Sequence, residues 1–137
     1  MLLAAEKVLS PNDLGLTGTH QAGILVPKQR KILSVFPPLD VKALNPTVFF
    51  DVIGPDDQTW RLAFKYYNNK RFGTGTRDEF RITRLTQLLR EAGLRPGDRL
   101  LFHRDGFVWR ITWRKQPRQT NKVVLDLTQG GWVAIKL

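Results

Sequence analysis

The chain contains no cysteine. That excludes disulfides and thiolate metal sites, and it makes an intracellular location the default expectation. Serine is nearly as scarce, with only Ser10 and Ser34, and the two histidines, His20 and His103, lie far apart. No convincing nucleophile–base pair for covalent catalysis emerges from that set. Acidic residues are also short, 12 Asp and Glu against 22 Lys and Arg. A metal-dependent nuclease needs clustered carboxylates with a lysine nearby. Asp40-Val41-Lys42 imitates such a tripeptide, but it sits in a proline-rich connection without a strand carboxylate before it. Coincidence is the better reading. The chain by itself is therefore read as non-catalytic and without a cofactor. Long hydrophobic runs are missing too: none approaches the ~20 residues that span a bilayer. Met1–Leu9 is too short, and too soon broken by Glu6 and Lys7, to be a secretory signal.

What the chain has in excess is positive charge. The net charge is +10, which points first to nucleic acid and only second to an anionic membrane surface. Residues 60–84 hold seven cations (Arg61, Lys65, Lys70, Arg71, Arg77, Arg81 and Arg84) against Asp78 and Glu79. Residues 99–122 hold another seven against Asp105 alone. Arginine dominates both groups, which suits bidentate contacts with phosphate or guanine.

At 137 residues the chain is long enough for one domain with a real core, spanning 1–137. Ser10–Gly23 reads as a loop that carries short donors and acceptors: Asn12, Asp13, Thr17, Thr19, His20 and Gln21. Lys28–Phe36 reads as a short helix stopped by Pro37-Pro38. Thr47–Ile53 and Thr59–Tyr67 form a hairpin. In its second arm Trp60, Leu62, Phe64 and Tyr66 turn inward, while the opposite face is basic. Leu85–Ala92 reads as a helix capped by Gly93. Asp98–Arg104 and Phe107–Lys115 form a second hairpin about Asp105-Gly106, with Phe107, Trp109, Ile111 and Trp113 inward. Val123–Leu127 and Trp132–Leu137 read as a closing hairpin, and the strand running to the last residue suggests a domain cut from a larger protein. The fold expected is mainly β with minor helix, a closed or nearly closed barrel, because closure removes the edges that many amphipathic strands would expose.

The most informative stretch is Asn69–Arg84 (NKRFGTGTRDEFRITR). After Lys70-Arg71 and a Thr/Gly turn, Arg77, Glu79, Arg81 and Thr83 alternate, so in a strand they share one face. Arginine can give two donors to guanine, and glutamate can accept from the cytosine amino group of the same pair. A phosphate binder working by charge alone would omit Asp78 and Glu79. A solvated charged hairpin is the plain alternative.

Three blocks carry a family resemblance: Leu9–Gly23, Leu44–Phe49 and Tyr66–Arg84, the last with Thr76-Arg77-x-Glu79-x-Arg81-Ile82-Thr83-Arg84. Together they resemble the amino-terminal effector domain of the EcoRII restriction endonuclease family. The corner Gly93-Leu94-Arg95-Pro96-Gly97-Asp98 is similar to one in the related plant transcription-factor pseudobarrels. The resemblance implies a seven-stranded DNA-binding pseudobarrel that holds double-stranded DNA of the CC(A/T)GG type between two arms in the major groove. It makes Asn12–Gln21 the first arm, with His20 in its base-contacting place. Lys70–Arg84 becomes the second, with Arg77, Glu79 and Arg81 as readers. Lys7, Lys70, Arg71 and Arg84 become phosphate or arm-positioning contacts. It also implies a monomeric module in a restriction endonuclease whose magnesium-dependent catalytic domain lies outside this chain. This sequence departs from that pattern in a longer Thr74-Gly75-Thr76 turn without a lysine, in Phe80 where a lysine is expected, and in Leu25 where an aromatic residue is expected. The alternative is a non-specific RNA- or single-strand-binding barrel that stacks bases on Trp60, Phe64, Trp109 and Trp113. Their period-two spacing assigns those rings to the core instead.

Overall fold

A computed structural model describes residues 2–17, 23–117 and 128–135. Within them eight strands form one sheet: β1 (Leu2–Val8), β2 (Ile24–Val26), β3 (Thr47–Ile53), β4 (Thr59–Tyr67), β5 (Glu79–Thr83), β6 (Arg99–Asp105), β7 (Val108–Arg114) and β8 (Trp132–Ala134). The spatial order is β2-β5-β4-β3-β7-β6-β1-β8. Every neighbouring pair is antiparallel except β3 with β7. The count is eight rather than the seven expected, and both edge strands, β2 and β8, are only three residues long.

The edges are brought together by one side chain. Trp132 on β8 is buried, and its indole Nε1 donates to the Leu25 carbonyl on β2 at 2.8 Å. The sheet is thus curled almost into a barrel without a continuous ladder at the seam. Phe36 fills the centre, with ring centroids 5.2 Å from Phe64, 5.1 Å from Phe102 and 5.7 Å from Trp132. Such offset and edge-to-face contacts add to the area that the rings bury. Phe64 and Trp109 are buried and Trp60 and Trp113 half-buried, so the aromatic set packs the core.

Two short helices close the ends. The helix α1 (Arg30–Leu33) is shorter than Lys28–Phe36, because single-turn bonds from Val35 to Ile32 and from Phe36 to Leu33 take over after Leu33. The helix α2 (Thr86–Glu91) buries Leu88 and Leu89. Gly93 ends it with φ +65, the Gly93 amide bonding the Arg90 carbonyl and the Leu94 amide the Leu89 carbonyl. That pair of bonds is a Schellman motif, as the sequence implied.

The hairpin of β6 and β7 differs from expectation. Asp105 pairs with Val108, so the two-residue turn is Gly106-Phe107, one position later than read. Phe107 therefore stands at the tip, 82% exposed, instead of inward, while Trp109 and Ile111 keep their core positions. The last strand ends at Ala134, and Val123–Leu127 lie outside the described residues.

Candidate nucleic-acid interface

Register decides which side chains share the outer surface. Along β4 and β5, Tyr67 faces Glu79, Lys65 faces Arg81, and Ala63 faces Thr83. Along β3 and β4, Phe49 faces Ala63 and Asp51 faces Arg61. Alternation sends Leu62, Phe64 and Tyr66 into the core, so the other set lies outside. The result is a sheet face dense in guanidinium and aromatic groups.

Its centre is a three-residue cluster. Glu79 Oε1 accepts from Arg77 Nε at 2.8 Å, with Arg77 Nη2 at 2.7 Å. Arg81 approaches from the other side, Nε at 3.2 Å from Oε1 and Nη2 at 3.3 Å from Oε2. Partial burial of Glu79 works to raise its pKa, but the hydrogen bonds from Arg81 and Arg77 outweigh it, and the carboxyl titrates below the usual glutamate value. The Arg77 guanidinium carbon also lies over Tyr67, 3.6 Å from the ring centroid. Arg81 is only 4% exposed, and its Nη1 reaches the Gly23 carbonyl at 3.5 Å.

The loop that carries Arg77 and leads into Glu79, residues 68–78, is braced at its root. Asn68 is fully buried: its Oδ1 accepts the Asn45 amide at 2.7 Å, and its Nδ2 donates to the Ala43 carbonyl at 2.7 Å. The Asn68 amide in turn donates to Asn45 Oδ1 at 3.1 Å. A 3₁₀ turn at Asn69–Phe72 follows, and the Lys70 amide bonds the Arg77 carbonyl at 3.0 Å to close the loop. Asp78 accepts from the Tyr66 hydroxyl and pairs with Lys28 at 2.6 Å. The hydrogen bonds from Lys28 and then Tyr66 lower the Asp78 pKa. Lys70 and Arg71 stand exposed on the turn.

A second loop leaves β1. Ser10 and Asp13 bond each other reciprocally, Asp13 Oδ2 taking the Ser10 amide at 2.9 Å and Ser10 Oγ the Asp13 amide at 3.2 Å. Buried Lys7 holds Asp13 Oδ2 at 3.1 Å and donates to the Gly130 carbonyl. Asn12 Oδ1 accepts from Thr17 at 2.9 Å on the exposed side. The loop rejoins the sheet at Gly23, φ +73, where a Cβ would meet the Ile82 carbonyl oxygen at 1.8 Å. Only glycine allows that approach. Ile24 pairs with Ile82, whereas the other loop enters at Glu79, so the two loops meet this edge at opposite ends of β5.

A sequence model described as Restriction endonuclease EcoRII, N-terminal matches residues 3–92. The chain belongs to this family. Within the EcoRII N-terminal family, type II restriction enzyme EcoRII of Escherichia coli is 41% identical over 81 residues, 57% of this chain and 20% of that enzyme. A putative AP2/ERF and B3 domain-containing protein of Oryza sativa subsp. japonica is 29% identical over 107 residues, 76% of this chain and 31% of that protein. The chain thus spans less than a third of the length of either relative.

For this EcoRII N-terminal family member, the structure gathers Arg77, Glu79 and Arg81 into one cluster, with Lys70 and Arg71 on the adjoining turn. Lys7 and Asp13 lie buried at the root of the first loop, in an anchoring position. Asp78 has both oxygens occupied within the fold. His20 and Gln21 lie outside the described residues. Arg84 adopts φ +68, a left-handed conformation that costs a non-glycine residue roughly 1–2 kcal/mol, and its guanidinium sits 4.8 Å from the Phe49 centroid. Sequence reasoning did not single out Tyr67, Lys65 or Phe49 for this face, although the period-two pattern of Thr59–Tyr67 already put Lys65 and Tyr67 opposite the core. Among the described residues no three of His, Asp, Glu and Cys gather as a metal site. Asp40 instead caps a local turn by accepting the Lys42 amide at 3.1 Å.

Proposed function

We propose that this chain is the sequence-specific double-stranded DNA-binding effector domain of a type II restriction endonuclease. The observation that carries the reading is the Arg77–Glu79–Arg81 cluster on the outer face of β5. The exposed Arg77 guanidinium, held at a fixed angle by Glu79, suits bidentate donation to guanine O6 and N7, while buried Arg81 fixes the carboxylate from beneath, and a charge-only phosphate grip has no need of Glu79. Lys70 and Arg71 on the same arm supply phosphate contacts, and Asn12, Thr17, His20 and Gln21 belong to the opposing arm. Both arms enter the major groove of a CC(A/T)GG-type duplex. Lys7 and Asp13 keep the first arm in position, and Asp78 does so for the second. The chain binds as a monomer inside the cell, and cleavage with magnesium belongs to a catalytic domain elsewhere in the parent protein.

A gel-shift titration against a CC(A/T)GG duplex and a scrambled one of equal length tests this. The target is expected to win by at least two orders of magnitude, within the usual range of specific over non-specific binding. Arg77→Ala should cost about 1–3 kcal/mol of that discrimination, whereas Lys70→Ala should weaken both duplexes alike. Equal affinity of the unaltered protein for both duplexes ends the proposal.

A further inference from the structure

On the outer face of β3 and β4 Phe49 is 45% exposed and flanked by two cations, Arg61 on β4 and Arg84, where the second arm ends. The Arg84 guanidinium lies 4.8 Å from its ring centroid, and that of Arg61 lies 5.6 Å away. A groove of about 520 Å³ opens between Arg61 and Arg84, with Thr86 and Gln87 also on its wall. Among the described residues the carboxylate paired here is Asp51, at a loose 3.9 Å from Arg61. This arrangement repeats the one at Arg77 and Tyr67. Phe49 pairs with Ala63, four residues along β4 from Tyr67, so the two capped rings stand about 13 Å apart, with Lys65 between them.

From this geometry we infer that Arg61, Phe49 and Arg84 form a second contact surface, for the phosphate backbone of duplex DNA beyond one end of the recognition site. The inference rests on the DNA-binding reading above. The two arms meet the sheet edge at opposite ends of β5, so a duplex held between them crosses the strands. In one direction it leaves over β2, the three-residue edge strand. In the other it passes over β4 and β3, where these cations wait. The exposed ring gives the guanidiniums a flat support, and Thr86 and Gln87 add neutral donors beside them. Phosphate contact follows from the charge, because flanking DNA offers no defined base edge to read. The extension is one-sided, since this platform lies on the β3 side of the reading strand.

Fluorescence anisotropy with three target duplexes tests the inference: one trimmed to the recognition site, and two extended by ten base pairs at one end or the other. The unaltered protein should bind one extended duplex about tenfold more tightly than the trimmed one at 50 mM salt, and that gain should shrink by roughly half a decade per phosphate contact at 200 mM. The other extension should give no such gain. Arg61→Ala and Phe49→Thr should each remove most of the gain and leave binding to the trimmed duplex unchanged. Both side chains are solvent-facing, so both variants keep the fold. A target preference without any gain from either extension overturns this inference alone. An equal gain from both extensions that survives Arg61→Ala also overturns it. Failure of the unaltered protein to prefer the trimmed target over a scrambled one instead overturns the reading on which it rests.

Discussion

Replacing Glu79 by glutamine tests the central cluster from both sides, fold and recognition. Removing one partner of a fully buried ion pair costs about 3–5 kcal/mol. Glu79 is a quarter exposed and Arg77 is 43% exposed, whereas Arg81 is 4% exposed. Solvent screening removes most of the cost on the Arg77 side. The Arg81 side remains, and glutamine still accepts one bond there, so the expected loss is about 1–2 kcal/mol, or a fall in Tm of roughly 3–8 °C for a domain of this size. On DNA the consequence is opposite in sign for the two probes. Arg77 loses the carboxylate that aims it, and discrimination should fall by about 1–3 kcal/mol. Affinity for scrambled duplex should rise, and its dependence on log salt should steepen by about 0.9 if one freed cation reaches a phosphate. Thermal melting and anisotropy at 50 and 200 mM salt read all three quantities. A variant that melts earlier yet discriminates as well as the unaltered protein would show that Glu79 serves the fold alone, and the recognition argument fails.

Three further outcomes follow from particular contacts. Trp132→Phe keeps most of the buried ring but loses the indole bond to Leu25, leaving that carbonyl at the seam without its donor; urea denaturation should show a loss of about 1–3 kcal/mol. Asn68→Ala empties a buried side-chain position and leaves the partly exposed Asn45 amide and Ala43 carbonyl without their side-chain partner, so it should lose about 1–2 kcal/mol in the same assay and blunt target preference as well. Glu6 is buried between Arg99 and Arg114, each at 2.5 Å; burial works to raise its pKa, but the bonds from Arg114 and Arg99 prevail and hold it below 4.5. A depressed folded pKa means that this stabilisation is fully present above the unfolded value and disappears as pH falls through the folded one. Since Arg99 is 48% and Arg114 67% exposed, Glu6→Gln should cost only about 1–2 kcal/mol at pH 7. The gap from the unaltered protein should close below about pH 4, and a gap that stays constant down to pH 2 refutes the assignment.

The amphipathic strands were legible from the sequence because their period is local. Thr47–Ile53 and Thr59–Tyr67 fall where alternation put them, and Gly93 ends α2 because only a residue tolerant of positive φ fits there. The alternation of Arg77, Glu79 and Arg81 on one face was likewise a property of the chain alone. Turn register was not. Both Asp105-Gly106 and Gly106-Phe107 satisfy local turn chemistry, and the pairing of Asp105 with Val108 across the hairpin selected the second, which put Phe107 outside.

The sequence by itself determined which residues are cationic and which of them alternate onto one side of the chain, since side-chain alternation needs no partner strand. Tertiary structure alone decided that Arg81 is buried with its Nη1 at the Gly23 carbonyl, that Lys7 anchors the first arm through Asp13, and that Phe49 lies between Arg61 and Arg84. Those contacts join residues on separate strands or loops, and their existence depends on a sheet that curls until Trp132 meets Leu25. Short-range pattern carries no information about that curvature, so the identity of the cations was readable in advance while their partners were not.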